Sequence, residues 1–385
     1  MSNNTYDSIL ELSLSREPEE IDDPKLYQEF LALHDAIEAL ANYASDLNDR
    51  LIEEEEEPVT DYFQEVAAGR VPGSSTISKF GENPDIDIVS GFETIWDAGG
   101  TYVPPTTARI HDAASDNAVD IGTLVSSGIA TSGSITSLVD TSATFIADGV
   151  ALLDRVLNDS TCEIGVVTAV VSQTEITMIT GIRNADSGVP GTPIVVGDAY
   201  RIVTNGSTGA AVLYVKGTSA ARIEINEFLL LNGTTNVPTL KSYIRQYRAR
   251  VFGPNITGAV GTITSTAQID GTISCQVING NNQTLMAVYT VPLGKTAYIH
   301  QWWGSISKKQ TAISNMILRG GILDGIGYII QNRSITTSGS SEFSWKPSVP
   351  IQIPGGADIW VEADTDTNNT GIASGFDVIL EDVVV

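Results

Sequence analysis

Asp364, Asp366 and Asn368, in the segment ADTDTNNTG, stand at the first, third and fifth places of an oxygen-rich loop of the kind that binds calcium. The sixth place holds Asn369 where such a loop needs glycine, and the twelfth holds Gly375 where it needs glutamate, so the segment reads as a turn. Glu362, Asp364 and Asp366 alternate along one strand end and share a face. Paired carboxylates of this kind can cut glycosidic bonds, but only with a second acid opposite them, and the pattern supplies none. The three histidines, His34, His111 and His300, lie far apart, and no HExxH or CxxC supplies a zinc site. GxSxG, GxxxxGK[ST] and a GxGxxG leading from strand to helix are all missing. Trp302, Trp303, Trp345 and Trp360 could stack on sugar rings, although tryptophans this dense in one β domain more often fill a core. Arg245, Arg248 and Arg250 form the one basic cluster, expected to pair with acids on a neighbouring strand or subunit, or else to hold an anion. The expectation is a non-enzymatic chain with no cofactor and no metal.

The elements around these residues are mostly strands. The 385 residues carry a net charge of −26, and within 1–61 there are 18 carboxylates against Arg16, Lys25 and Arg50. Such a surface repels nucleic acid phosphates. No window approaches the ~18 consecutive apolar residues of a membrane span, and MSNNTYDSILELSLS lacks the basic and apolar regions of a signal peptide. Cys162 and Cys275 are too few for a disulfide scaffold and are expected as buried free thiols.

Residues 1–23 read as an acidic flexible arm, and 24–57 as an amphipathic heptad helix. Leu26, Phe30, Leu33, Ile37, Leu40, Ala44, Leu47 and Leu51 alternate in steps of four and three, the seam of a coiled coil. Weakly charged flanking residues widen that seam and favour three chains or docking on another protein. Glu53 to Glu57 and Pro58 end the helix. Residues 58–108 read as an extended strap whose Phe63, Phe80, Phe92, Trp96 and Tyr102 dock into a partner.

Segments 109–122 and 205–265 make a β domain interrupted by 123–204, an inserted small β-barrel with turn-like ends. Residues 266–385 read as a C-terminal antiparallel β-sandwich, jelly-roll-like. The fold class is therefore mainly β behind an N-terminal coiled-coil-like helix.

The segments EVAAGRVPGSSTISKFGENPDIDIVSGFETIWDAGGTYVPP, NNQTLMAVYTVPLGKTAYIHQWWGSISKK and PGGADIWVEADTDTNNTGIASGFDVILED resemble structural proteins of tailed-bacteriophage particles. The 123–204 stretch, with DRVLND, GVVTAV and GDAYRIV, is similar to a β-module inserted in other phage proteins. The resemblance spans roughly 24–122 and 209–385. It implies a virion protein, a homotrimer among capsid or tail components, and carries over no functional residue. The expected function is a head fibre or capsid decoration anchored by its N-terminal segment. The alternatives are a tail fibre recognising a host surface glycan and, less favoured, a glycan depolymerase acting through Asp364 or Asp366.

Overall fold

The structure is a computed structural model. It describes residues 24–25, 28, 31–32, 34–40, 42–44 and 62–383, except 180, 205–208, 254–257, 308–310, 323–328 and 340. Two compact units divide the chain, Met1–Glu65 and Val66–Val385. In the first, residues 24–25, 28, 31–32, 34–40 and 42–44 are helical. The remainder of the expected 24–57 helix, the acidic arm and Glu53 to Glu57 lie outside the described residues.

The second unit is built almost entirely of antiparallel strands. Its outer sandwich uses β1 (Ser74–Ile86), β2 (Val288–Thr290), β3 (Lys295–Ile306), β4 (Ile313–Gly321) and β5 (Ile329–Ser338). It is completed by β6 (Glu342–Trp345), β7 (Ile351–Pro354), β8 (Asp358–Thr365) and β9 (Thr370–Asp382). One sheet runs β1-β9-β3-β6, with β7 pairing the other end of β3; the facing sheet runs β2-β8-β4-β5. Ile299, Trp302, Phe376 and Val378 from the first sheet meet Tyr289, Met316, Ile359 and Val361 from the second in one core.

A bulge decides which tryptophan enters that core. The pairing of β3 with β9 shifts between Ile299 and Gln301, leaving His300 as the extra residue. Ala297 and Ile299 face inward before it, and Trp302, Gly304 and Ile306 after it. A shift of one residue exchanges the two faces of a strand, so without the bulge Trp303 would be buried in place of Trp302.

Two expectations are corrected here. Residues 74–86 were assigned to an irregular strap, yet they form β1, paired with β9 from Ser74↔Glu381 to Ile86↔Thr370. Its inward positions include Lys79, Gly81 and Asn83, which interrupt the apolar alternation that marks a strand. The outer sandwich also does not begin at 266. Ile273–Val277 pairs with Ile263–Ala267 in a different sheet, of order Val237–Pro238, His111–Ser115, Ile263–Ala267, Ile273–Val277.

That sheet shares a core with the sheet Glu224–Leu230, Val212–Thr218, Arg245–Phe252 through Ala113, Leu213, Val215, Leu229, Ile263 and Val277. The chain between 124 and 203 makes an eight-stranded sheet of its own. The strands at the two ends of its path, Leu124–Ile129 and Ser132–Gly133, are separated by only two residues. The sheet must therefore curl back on itself around Leu138, Phe145, Val156, Ile176 and Ile202. Its entry and exit meet where Thr204 N–H donates to Thr123 O at 2.9 Å.

β1 passes so close to the chain around residue 95 that only glycine fits at one point. A Cβ on Gly81 would lie 2.4 Å from Ile95 O and 2.5 Å from Ala287 N. Gly81→Val should therefore lower the urea-unfolding free energy by at least about 2 kcal/mol. An unchanged midpoint would mean that β1 is not seated against this backbone.

Candidate functional site

The sequence-level candidates for chemistry fall into turns, cores and structural ion pairs. Asp366 Oδ1 accepts hydrogen bonds from Ile313 N–H at 2.8 Å and Thr367 Oγ1 at 2.9 Å, which hold its carboxyl below the usual range. Asn368 Oδ1 accepts from Ile88 N–H at 3.0 Å, while Asp364 lies opposite Asn315 in the register of β8 and β4. Glu362 pairs with Arg319 at 2.5 Å and accepts from Trp360 Nε1 at 2.7 Å. Among the described residues no three His, Cys, Asp or Glu side chains gather as metal ligands. No helix of the described chain is long and apolar enough to cross a membrane.

His111 opens the strand His111–Ser115 and is buried. Its Nδ1 is 3.0 Å from Arg109 O and its Nε2 2.8 Å from Ser274 Oγ. Burial pulls its pKa down to about 4 against the partial support of the Arg109 carbonyl, which keeps the ring neutral. His34 lies 3.7 Å from Glu38 on the helix, and His300 occupies the β3 bulge.

The four tryptophans make no common platform. Trp302 and Trp360 are buried, and Trp302 Nε1 donates to Ser374 Oγ at 3.1 Å. Trp345 is half-buried, with the Arg333 guanidinium 4.9 Å over its ring, beside an open cleft of about 440 Å³ that also exposes Asn332, Ser348 and Val349. Cys162 and Cys275 are free and buried, and burial pushes their thiols up to about 11 and about 12.

The basic cluster divides along its strand. Arg245, 1 % exposed, grips Asp358, 0 % exposed, through a two-point fork at 3.2 and 3.3 Å. Asp358 begins β8, and it also accepts from Thr290 Oγ1 at 2.6 Å and lies 3.6 Å from Arg222. Arg248 and Lys216 converge on Asp186 at 2.5 and 3.0 Å. Burial would raise the Asp186 pKa, but the two cations hold it below the ordinary carboxylate value. Arg250 donates to the main-chain carbonyls of Ala185 and Asp186. The expected pairing with acids is met by Asp358 and Asp186, both of this chain.

The aromatic strap is corrected in its target. Trp96 and Tyr102 are buried against Met286, Val288 and Trp360 of their own chain, with their rings edge-on at 5.1 Å. Phe92 lies 5.8 Å from the Arg319 guanidinium, Phe80 is half-buried on β1, and Phe63 is half-buried near the start of the described strap. Of the heptad positions, Ile37 and Leu40 are exposed and Ala44 is half-buried; Leu26, Phe30, Leu33, Leu47 and Leu51 lie outside the described residues.

Sequence reasoning missed Lys79 and Asp97, two buried charges on segments with no regular alternation. Lys79 Nζ donates to Tyr247 O, and its pKa falls well below the ordinary lysine value through burial first and the nearby Arg248 charge second. Asp97 Oδ2 accepts from Leu285 N–H at 3.1 Å, while Oδ1 meets no partner. No protein-family model matches the chain, and no curated protein sequence matches it.

Burial raises the Asp97 pKa to about 7 from an unfolded value near 3.8. The folded chain therefore keeps a proton that the unfolded chain has lost, and stability falls as pH rises from about 4 to about 7. Asp97→Asn should stabilise the protein by roughly 2–4 kcal/mol at about pH 8 and by little near pH 4, as measured by urea unfolding at both values. An Asn variant no more stable than the parent at the higher pH would contradict this assignment.

Proposed function

We propose that this chain is a non-enzymatic structural component of a tailed-bacteriophage particle. In this reading it is a trimeric surface protein of head-fibre or capsid-decoration type, anchored by its N-terminal segment. The observation that carries the reading is the apolar stripe on the described helix. Ile37 is 40 % exposed and Leu40 74 %, with Tyr43 beside them at 66 %. Ile37 and Leu40 belong to a four-three repeat, whose ordinary use is to bury such side chains against copies of the same helix, and Tyr43 flanks it. A closed threefold arrangement satisfies that stripe in every copy and leaves none open.

The outer sandwich supports the same reading. With β6 and β7 counted as one interrupted strand, its sheets take strands in the order 1-8-3-6 and 2-7-4-5. That order supports the jelly-roll reading, an architecture shared by viral capsid and lectin domains. The fold is not itself a function. Docking on a partner falls to the helix, since Trp96 and Tyr102 are buried within the chain.

One feature favours the second reading, a tail fibre that binds a host surface glycan: the cleft where Arg333 covers Trp345 between the edges of both sheets. Glycan recognition there would use ring stacking and hydrogen bonds from Asn332 and Ser348. Acid catalysis through Asp364 or Asp366 has less support, because Asp366 is engaged in closing a turn.

Sedimentation equilibrium of the full chain should give a species of three chains. Replacing Ile37 and Leu40 together by aspartate should yield monomer with an unchanged β-type circular dichroism spectrum. A monomeric parent chain would overturn the trimer. Gold-labelled antibody to the outer sandwich should then decorate intact particles over the head; label confined to the tail would select the glycan-binding reading.

A further inference from the structure

Where the curled 124–203 sheet meets the strand Arg245–Phe252, the chain encloses a pocket of about 210 Å³. Ile164, Ile179 and Phe252 supply apolar wall, and Arg155, Arg183 and Arg250 supply guanidinium groups. Among the described residues that line it there is no aspartate or glutamate. In a chain of net charge −26, a concavity lined by three cations and no acid is an exception.

Neither Arg155 nor Arg250 has a carboxylate to itself. Arg155 uses Nη2 to donate to Gly253 O at 2.8 Å, but its buried Nε–H meets no acceptor. Its pKa is lowered by burial alone, with no neighbouring carboxylate to restore it. Among the described residues Arg250 donates to the carbonyls of Ala185 and Asp186; burial and then the Arg248 charge lower its pKa, and the Asp186 charge only partly offsets them. The nearest acid, Asp186, already receives Arg248 and Lys216 on its carboxylate. A half-desolvated guanidinium without a counter-charge is costly, and an anion entering the pocket would relieve that cost.

We propose that this pocket binds a small organic carboxylate, with Arg155 and Arg250 as its charge partners. The planar guanidinium fork matches the two oxygens of a carboxylate. The apolar walls strengthen the attraction by lowering the local dielectric, and they accept the ligand's carbon body. The volume suits a ligand of on the order of ten heavy atoms, the size of an acidic monosaccharide. The site shares no residue with the Trp345 cleft, and it does not depend on the proposed role in a particle.

The test is calorimetric titration of the full chain with glucuronate, with glucose as the neutral control and sulfate as the inorganic one. Glucuronate is expected to bind once per chain, glucose not at all, and sulfate more weakly than glucuronate. Arg155→Gln and Arg250→Gln should each weaken glucuronate roughly tenfold or more with the circular dichroism spectrum unchanged. If Arg155→Gln fails to fold, Arg250→Gln and Arg183→Gln carry the comparison. Absence of glucuronate binding to the parent chain overturns the proposal. Binding that survives these variants, or that sulfate matches in strength, overturns it as well.

Discussion

Asp358 is fully buried at the first residue of β8, and everything around it must supply positive charge or hydrogen-bond donors. A carboxylate taken out of water is tolerated only when its oxygens are satisfied, and here Arg245, Arg222 and Thr290 converge on it. Arg245 begins a strand of the middle sandwich, the two sheets that share the core of Ala113, Leu213, Ile263 and Val277, whereas Asp358 and Thr290 lie in the outer one, so the pair joins the two bodies through buried groups. Arg245 also donates to Pro105 O at 3.3 Å, which ties down the chain emerging from the strap that buries Tyr102. Loss of either partner would leave the other charged and buried, a defect worth roughly 3–5 kcal/mol. This pair is therefore a constraint on geometry more than a source of net stability.

The topology explains why such a lock is needed. β1 and β2 lie at the edges of opposite sheets of the outer sandwich, yet residues 87–287 separate them in the chain. The sandwich closes only when that long excursion returns to place Val288–Thr290 beside β8. On the way out, Glu93–Thr94 pairs with β8 beyond β2, and Ala287 N–H donates to Ile95 O at 2.9 Å. The outgoing and returning chains thus clasp each other at the sheet edge. A second clasp, of Asp186 with Lys216 and Arg248, fastens the curled 124–203 sheet to the middle sandwich.

What could be read from the residues follows the range of the interactions. The 123–204 segment was legible because its strands pair over short spans between Asn, Asp and Ser turns, such as the Asn158 Oδ1 cap on Ser160 N–H at 3.0 Å. The type of partner for Arg245 and Arg248 was legible from their charge; the identities were not, since Asp358 and Asp186 are remote in sequence. β1 was hidden because Lys79, Gly81 and Asn83 occupy inward positions; Lys79 is satisfied by the remote Tyr247 O, Asn83 Nδ2 by Glu93, and Gly81 is needed for the close approach of Ile95 and Ala287. The inward turn of Trp302 over Trp303 depended on a bulge at His300 that no local signal announces. The strap was expected to dock into a partner or a neighbouring chain, whereas its Trp96 and Tyr102 pack against Met286, Val288 and Trp360 of their own chain. The Arg155 pocket was beyond reach because it forms only where two separately encoded sheets meet.

The most direct test of this coupled body uses probes that the chain already separates. All five tryptophans, at 96, 302, 303, 345 and 360, belong to the outer sandwich and the strap on its edge. The buried Cys275 lies in the middle sandwich, and the buried Cys162 beside the 124–203 sheet. A urea titration should follow tryptophan emission and the reactivity of each thiol on the same samples. If the buried Asp358 cluster makes these sheets one cooperative structure, the three transitions will coincide. Exposure of Cys275 at a denaturant concentration where the tryptophan signal is still native would contradict it.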